Sequence, residues 1–127
     1  MNKLHDAMNV QLSNWAVLYV KLHHLHWYVK GPHFQTLHAK YEELYDLAAE
    51  KLDELAERIL TIGGKPLSTM KEYLESATLQ EVDKGGSEGE MLQQTVQDLQ
   101  SIVTGLQATV KLADEAGDDA TSDLFVG

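Results

Sequence analysis

Apolar residues recur at spacings of three and four along most of this chain, and that periodicity limits the fold more than any other feature. An α-helix of about 3.6 residues per turn places residues at such spacings on one face. The repeats fall at positions 8, 12, 15, 19, 22 and 26, at positions 37, 41, 44, 48, 52, 55, 59 and 62, and at positions 92, 96, 99, 103, 106, 110 and 113. Since no segment shows the alternation typical of a strand, the chain is predicted to be all-α.

Turn signals mark the ends of the first two helices. The first is expected from about residue 4 to Val29, because Gly31 and Pro32 then interrupt the pattern. The second is expected to end at Gly63 and Gly64, since glycine permits the left-handed conformation that commonly follows a helix. The short connection makes the two helices antiparallel neighbours.

Two capping boxes predict the later helices. Thr69 with Glu72 predicts a short connecting helix from residue 70 to about residue 77. Ser87 with Glu90 predicts the start of a third long helix, which should end at Gly117.

Three long helices suit a four-helix bundle, but the fourth helix is incomplete. Residues 118–127 match the first two turns of a helix, and Leu124, Phe125 and Val126 only begin its apolar face. We therefore expect residues 1–127 to form a single domain that is truncated at its C-terminus, with the fourth helix largely missing. If the chain is complete instead, part of its apolar stripe needs a partner chain.

Composition excludes several classes of protein. The absence of Cys excludes a disulfide scaffold, a thiolate metal site and a cysteine nucleophile. The formal net charge of −10 disfavours contact with nucleic-acid phosphates. The uncharged run over residues 7–20 is too short and too polar to span a bilayer, so no membrane association is expected. Because no signal-peptide pattern begins the chain, the expected location is cytoplasmic.

Histidines and carboxylates occupy different parts of the sequence. All six His lie within the first 38 residues, whereas residues 41–127 contain 19 of the 20 acidic residues. On the second helix, His38, Glu42, Asp53 and Glu57 fall within one arc of about 100°. Glu42 and Asp53 are nevertheless about 16 Å apart along the helix axis, so the two halves of this set cannot bind the same ion.

A second copy of the chain would bring the two halves together. His26 lies six residues before Pro32 and His38 six residues after it, so an antiparallel hairpin places both imidazoles at a similar height. Each chain then offers a His-rich half-site and, three turns away, a carboxylate half-site. The half-sites are His26, His38 and Glu42 on one side, and Asp53 and Glu57 on the other. A two-fold axis that packs the second helices antiparallel would form two equivalent metal sites.

Structural roles could account for the same residues. An acidic pair one turn apart, such as Asp53 and Glu57, is commonly a solvated helix face, and the neighbouring Arg58 would suit it. A His at a seam position is commonly a hydrogen-bonded core residue. The chain would then be a non-enzymatic helical interaction module. In either case a di-iron site inside one bundle is excluded, because it requires Glu-x-x-His and the chain contains no such sequence.

Two segments at a specific separation carry a family pattern. They are His26-Trp27-Tyr28-Val29-Lys30-Gly31-Pro32-His33-Phe34 with Leu37-His38, and Asp53-Glu54-Leu55-Ala56-Glu57-Arg58-Ile59. With them the chain resembles the Dps family, the ferritin-like miniferritins called DNA-binding proteins from starved cells, and most of all its Gram-positive, metal-regulated branch. The resemblance implies a ferritin-like four-helix bundle with a short helix in the long crossover. It also implies a hollow dodecamer built from two-fold dimers, with a ferroxidase site between subunits.

Carried over by position, the resemblance implies roles for the candidate residues. The ligands of one subunit would be His26, His38 and Glu42, and those of the other Asp53 and Glu57. A Glu stands at position 42, where the family typically has Asp. Trp27 would lie beside the site, where an aromatic residue intercepts radicals.

The resemblance also assigns a pore and a reaction. Asp114, Asp119 and Asp123 match positions that line an acidic three-fold pore for Fe²⁺ entry, although helix-end charges that aid solubility are the alternative. The expected reaction is the oxidation of Fe²⁺ by hydrogen peroxide at a di-iron or mono-iron site, with Fe³⁺ mineralised inside the shell. Direct DNA binding is not expected, because the first ten residues hold only Lys3 against Asp6 where DNA-binding members often have a Lys-rich tail.

Overall fold

The computed structural model describes residues 2–81 and 86–126 and folds them into five helices without a strand. The helices are α1 (Asn2–Tyr28), α2 (Phe34–Thr61), α3 (Met70–Ser76), α4 (Glu88–Glu115) and α5 (Asp119–Val126). The all-α prediction is therefore confirmed. Within the described residues, no helix is long and apolar enough to cross a membrane.

The helix ends lie close to the predicted positions. Both capping boxes form, with the hydroxyls of Thr69 and Ser87 accepting from the backbone N–H groups of Glu72 and Glu90. Gly31 has a φ of 133°, a left-handed conformation that side chains rarely adopt, and it turns the chain between α1 and α2. The local sequence therefore suffices to divide the chain into helices.

Helix α1 forms the centre of the molecule. Its predicted seam is buried or half-buried throughout, and α1 packs against α2, α3 and α4. His26 near the end of α1 contacts His38 near the start of α2. His5, near the start of α1, lies beside Gly64, just after α2. The two helices are therefore antiparallel, as predicted.

The predicted seam of α4 is partly wrong. Helix α4 buries Ala113 of that seam but otherwise the neighbouring stripe, which consists of Met91, Thr95, Ile102 and Thr109. Leu92, Val96 and Val103 of the predicted seam are exposed. Thr95 and Thr109 can be buried because the hydroxyl of each donates to the backbone carbonyl one turn earlier, at 2.9 and 2.8 Å. Neither hydroxyl is therefore left without a hydrogen bond. An apolar groove of about 550 Å³ lies between α2, α4 and α5.

Two asparagines of α1 hold the crossover that contains α3. The carboxamide oxygen of Asn14 accepts from the backbone N–H groups of Thr78 and Leu79, at 2.8 and 3.2 Å. Asn9 donates to the carbonyl of Lys65 at 3.1 Å. Asn14 is fully buried, and its bond to the N–H of the buried Leu79 satisfies a loop backbone group away from water. The crossover is thereby fixed along α1.

Candidate metal centre

His26 and His38 form a reciprocal pair at the turn between α1 and α2. The Nδ1 of each ring lies 2.7 Å from the backbone carbonyl oxygen of the other residue. The rings stack with their centroids 3.6 Å apart and an interplanar angle of 18°. The two imidazoles therefore lie at the same height, as the spacing around Pro32 predicted.

This pairing determines which nitrogen of each ring is available. A carbonyl oxygen can only accept, so Nδ1 of each ring donates its N–H, and Nε2 is the ring nitrogen that these two bonds leave for another partner. A hydrogen bond from the other ring nitrogen is the usual way in which proteins orient a metal-binding histidine. Helix geometry explains one of the two acceptors, because the carbonyl of His26 is among the last four of α1 and has no partner within the helix.

Glu42 lies on the open side of the pair. Its Oε1 is 3.9 Å from Nε2 of His26, and 57% of its side chain is exposed, against 9% for that of His26. One turn of α2 separates Glu42 from His38. Glu42 therefore lies beside the pair on the His26 side, although the three side chains are not close enough together to hold one ion.

Aromatic rings surround the histidine pair. Tyr45 meets the ring of His26 edge to face with centroids 5.3 Å apart, and it stacks on His23 at 3.7 Å. Phe34 stacks on the other side of His38 at 5.1 Å. Burial and the charges of Glu42 and Asp46 raise the pKa of the Tyr45 hydroxyl. The rings restrict the orientations that the two imidazoles can adopt.

Trp27 lies on the exposed side of this cluster. It follows His26 in the sequence, its ring centroid is 5.3 Å from that of His23, and 67% of the residue is exposed. The structure therefore places Trp27 near the histidine pair but not in the stack.

Asp53 and Glu57 lie together on an exposed face of α2. A hydrogen bond with Asp53 raises the pKa of Glu57, and the negative charge of Asp53 adds to the effect. Two carboxylates this close repel each other unless a proton or a cation lies between them. Because α2 is continuous, the pair stays three turns away from Glu42. Within residues 2–81 and 86–126, no group of three or more His, Asp or Glu side chains lies close enough to hold one ion.

The basic residue next to this pair has a different partner. Arg58 donates from Nη2 to Oδ1 of Asp118 at 3.1 Å and from Nε to Oγ1 of Thr121 at 2.8 Å. The structural explanation of the acidic pair, in which Arg58 balances its charge, therefore lacks its main support.

The predicted pore residues lie around the junction of α4 and α5. Asp114 is in the last turn of α4, and Asp119 and Asp123 are one turn apart on α5. All three are exposed. The carboxylates are thus available to solvent at one end of the molecule.

Tyr45 is the neighbour of the site that sequence reasoning missed. It lies seven residues after His38, which is two helical turns, so its position on the same face of α2 was a usable signal. No comparable signal indicated Asp118 as the partner of Arg58, because that contact joins residues 60 positions apart.

Comparisons with known proteins identify the family. A family model described as a ferritin-like domain matches residues 5–127. "DNA protection during starvation protein 2" of Bacillus anthracis is 47% identical over 128 residues, covering 100% of this chain and 88% of that protein. General stress protein 20U of Bacillus subtilis is 47% identical over 124 residues, covering 98% and 86%. The crystal structure of Dps from Staphylococcus aureus is 45% identical and superposes with a TM-score of 0.97, covering 100% of this chain and 85% of that chain. The predicted ferritin-like fold is therefore confirmed, and the chain belongs to the Dps family of ferritin-like proteins.

Proposed function

We propose that this protein stores and detoxifies iron as a ferroxidase. It would oxidise Fe²⁺ with hydrogen peroxide at a site shared by two subunits and deposit Fe³⁺ as mineral inside a hollow shell. In this proposal iron is the substrate and the stored product, and the working unit is a dodecamer built from two-fold dimers in the cytoplasm.

The histidine pair is the observation that carries the proposal. His26 and His38 each leave Nε2 free while Nδ1 is bonded to a carbonyl at 2.7 Å, and Glu42 adds a carboxylate beside them. Imidazole retains ferrous iron, and carboxylate oxygens favour the ferric product. A donor set of this composition suits a metal that changes its oxidation state.

The second half of the site would come from another subunit. Asp53 and Glu57 are exposed and close together, so they can reach an ion held by a neighbouring chain. A two-fold axis that places α2 of one subunit antiparallel to α2 of the next would join them to the histidine pair. Each subunit then contributes to two sites.

The stoichiometry explains the protective effect. Two Fe²⁺ ions each give one electron to one molecule of H₂O₂, the O–O bond breaks, and 2 Fe²⁺ + H₂O₂ + 2 H₂O yields 2 FeOOH + 4 H⁺. Because both electrons reach the same peroxide, hydroxyl radical is not released. Trp27 would intercept an oxidising equivalent that escapes when only one iron is bound.

Entry of Fe²⁺ would follow the acidic surface. Asp114, Asp119 and Asp123 would line a three-fold pore in the assembled shell, where clustered carboxylates concentrate cations. The net charge of −10 per chain supports the same role.

This protein would protect DNA by consuming Fe²⁺ and peroxide and not by binding the DNA. The names of two relatives refer to DNA protection during starvation and to general stress. This chain, with a net charge of −10, would repel phosphate. We expect no mobility shift of duplex DNA at pH 7.5 without added metal, and a clear shift would contradict this part of the proposal.

Subunit complementation tests the proposal. His26→Ala and Asp53→Ala variants are each mixed with anaerobic Fe²⁺ and then peroxide, and the absorbance of ferric iron is followed near 300–350 nm. Each variant alone should show no oxidation above buffer, because every site lacks a ligand. Co-assembly of the two in equal amounts should restore about a quarter of the sites, since half of the dimers are mixed and each has one intact site.

The control is the double variant that carries both substitutions in one chain. Mixed with the wild-type chain, it forms dimers in which each of the two sites lacks one ligand, so mixing should restore nothing beyond the wild-type dimers. Activity in the separate single variants would refute the shared site. Equal rates in all proteins would favour a helical interaction module without enzymatic activity.

A further inference from the structure

Both basic residues near the carboxylate half-site are engaged by other acids. Lys51 lies two residues before Asp53, and its Nζ is 3.7 Å from Oε2 of Glu54. Arg58 follows Glu57 directly, and its guanidinium points to α5. The half-site is therefore left without a cation of its own among the ion pairs that the described residues form.

The contact between Arg58 and α5 is a closed hydrogen-bonded ring. Arg58 donates to Oδ1 of Asp118 and to Oγ1 of Thr121, and Oγ1 of Thr121 donates to Oδ2 of Asp118 at 2.5 Å. Asp118 also caps the first turn of α5 by accepting from the backbone N–H of Thr121 at 3.1 Å. The side chains of Arg58 and Asp118 are only 24% and 13% exposed, so solvent screens the ion pair incompletely.

We propose that the Arg58–Asp118 ion pair sets the cation affinity of the carboxylate half-site by holding the guanidinium away from it. This inference rests on the proposed function, because it assumes that Asp53 and Glu57 bind a metal ion. Arg58 is a positioning residue in this scheme and does not touch the ion.

The physical basis is the electrostatic repulsion between the guanidinium of Arg58 and a divalent cation at the half-site. If Asp118 loses its charge, the guanidinium is free to return to the acidic face of α2, where Glu54 lies one turn earlier. A guanidinium there would occupy the field of Asp53 and Glu57 and repel a divalent cation. We expect a loss of affinity of about threefold to tenfold at low salt, which should diminish as salt screens the charges.

Binding of Co²⁺ to the assembled protein without peroxide tests the inference. Asp118→Asn should weaken Co²⁺ binding about threefold to tenfold, as measured by calorimetry and by visible absorption. Asparagine is a good helix N-cap, so α5 should keep its first turn. Arg58→Gln should bind Co²⁺ as tightly as the wild type or more tightly, and the double variant should behave like Arg58→Gln.

The opposite responses separate this role from a structural one. A purely structural ring predicts that Asp118→Asn and Arg58→Gln weaken binding alike, in step with their loss of thermal stability, and that result would overturn the inference. Glu115→Gln removes one exposed charge near α5 and should leave affinity unchanged. If Asp118→Asn fails to assemble, weaker binding by Arg58→Gln alone would overturn the inference.

One further comparison separates this inference from the proposed function. If Asp53→Asn with Glu57→Gln binds Co²⁺ like the wild type, both fail. If that variant loses binding but Asp118→Asn and Arg58→Gln respond alike, only the role of Arg58 fails.

Discussion

His38, near the start of α2, is held against α1 by hydrogen bonds and ring stacking, whereas Asp53 and Glu57, further along the same helix, are exposed. The first end is ordered by the chain itself. The second end keeps two repelling carboxylates, and the nearest guanidinium is directed elsewhere. Rigid imidazoles and unbalanced carboxylates are complementary, so in the proposed site the first half would orient an ion and the second would supply the negative charge that attracts it.

The largest expected effect is the loss of oxidation rate when the hydrogen-bonded and stacked imidazole of His38 is removed. His38→Ala should lower the rate of Fe²⁺ oxidation by more than the roughly 100-fold that loss of a ligand's hydrogen-bond partner costs. It should also lower the free energy of unfolding by about 1–2 kcal/mol, because the carbonyl of His26 loses its donor. Asp53→Ala should reduce the rate comparably but change stability by less than about 0.5 kcal/mol. Equal destabilisation by both variants would break the contrast between the two ends. The control is His24→Gln, which removes an imidazole of the same helix that lies outside the proposed ligand set.

The second effect concerns the support of the histidine end. Lys21 is buried and its Nζ lies 2.6 Å from Oδ2 of Asp98, which braces α1 against α4. Lys21 lies five residues before His26, so in the antiparallel pair of helices it is level with Glu43, five residues after His38. The ion pair therefore supports the half of the hairpin that holds the histidines. Asp98→Asn leaves the ammonium without its counter-charge and should lower the free energy of unfolding by about 3 kcal/mol.

Denaturant unfolding at fixed protein concentration measures this effect, since oligomer stability depends on concentration. Asp46→Asn, at an exposed position, should change stability by less than about 0.5 kcal/mol. A similar change in the two variants would show that the buried ion pair contributes nothing special.

A smaller effect is expected at the height of the carboxylate end. A Cβ on Gly105 would collide with the carboxamide of the buried Gln11, which is level with Asp53 in the same register. Gly105→Ala should therefore lower the melting temperature, with overpacking of about 1–3 kcal/mol exceeding the roughly 1 kcal/mol that alanine gains in a helix. Gly89→Ala on α4 meets nothing within 4 Å and should be neutral or stabilising. The opposite order would show that Gln11 moves aside freely.

The smallest effect is the response to acid at Asp118. Burial alone would raise the pKa of Asp118, but hydrogen bonds from Thr121 and Arg58, with the charge of Arg58, lower it below the usual 3.8. Because the pKa of Asp118 is lower in the folded than in the unfolded chain, its charged form stabilises the fold at pH values above the unfolded pKa. This contribution is lost as the pH falls from the unfolded pKa through the folded pKa. The difference in melting temperature between wild type and Asp118→Asn should therefore shrink between pH 5 and pH 3. A difference that grows on acidification would contradict the lowered pKa.

Local patterns predicted the helices well because caps and glycine turns act over a few residues. Thr69 and Ser87 show this directly, since each caps a helix through a residue three positions later. The seam of α4 was misplaced because Thr95 and Thr109 are polar in the sequence but satisfy their hydroxyls within the helix. The donors at His26 and His38 followed from symmetric spacing around Pro32, whereas Asn14 and Arg58 find partners across the fold that no spacing indicates.

The reciprocal bonds between His26 and His38 also affect the order of events during folding. Neither ring can reach the carbonyl of the other until α1 and α2 have closed into a hairpin, so the paired and oriented nitrogens arise only together with tertiary structure. An unfolded chain has the same histidines but lacks that geometry. In the proposed function, a metal would therefore meet oriented ligands only when folding is well advanced, which would limit capture of the wrong ion by a newly made chain.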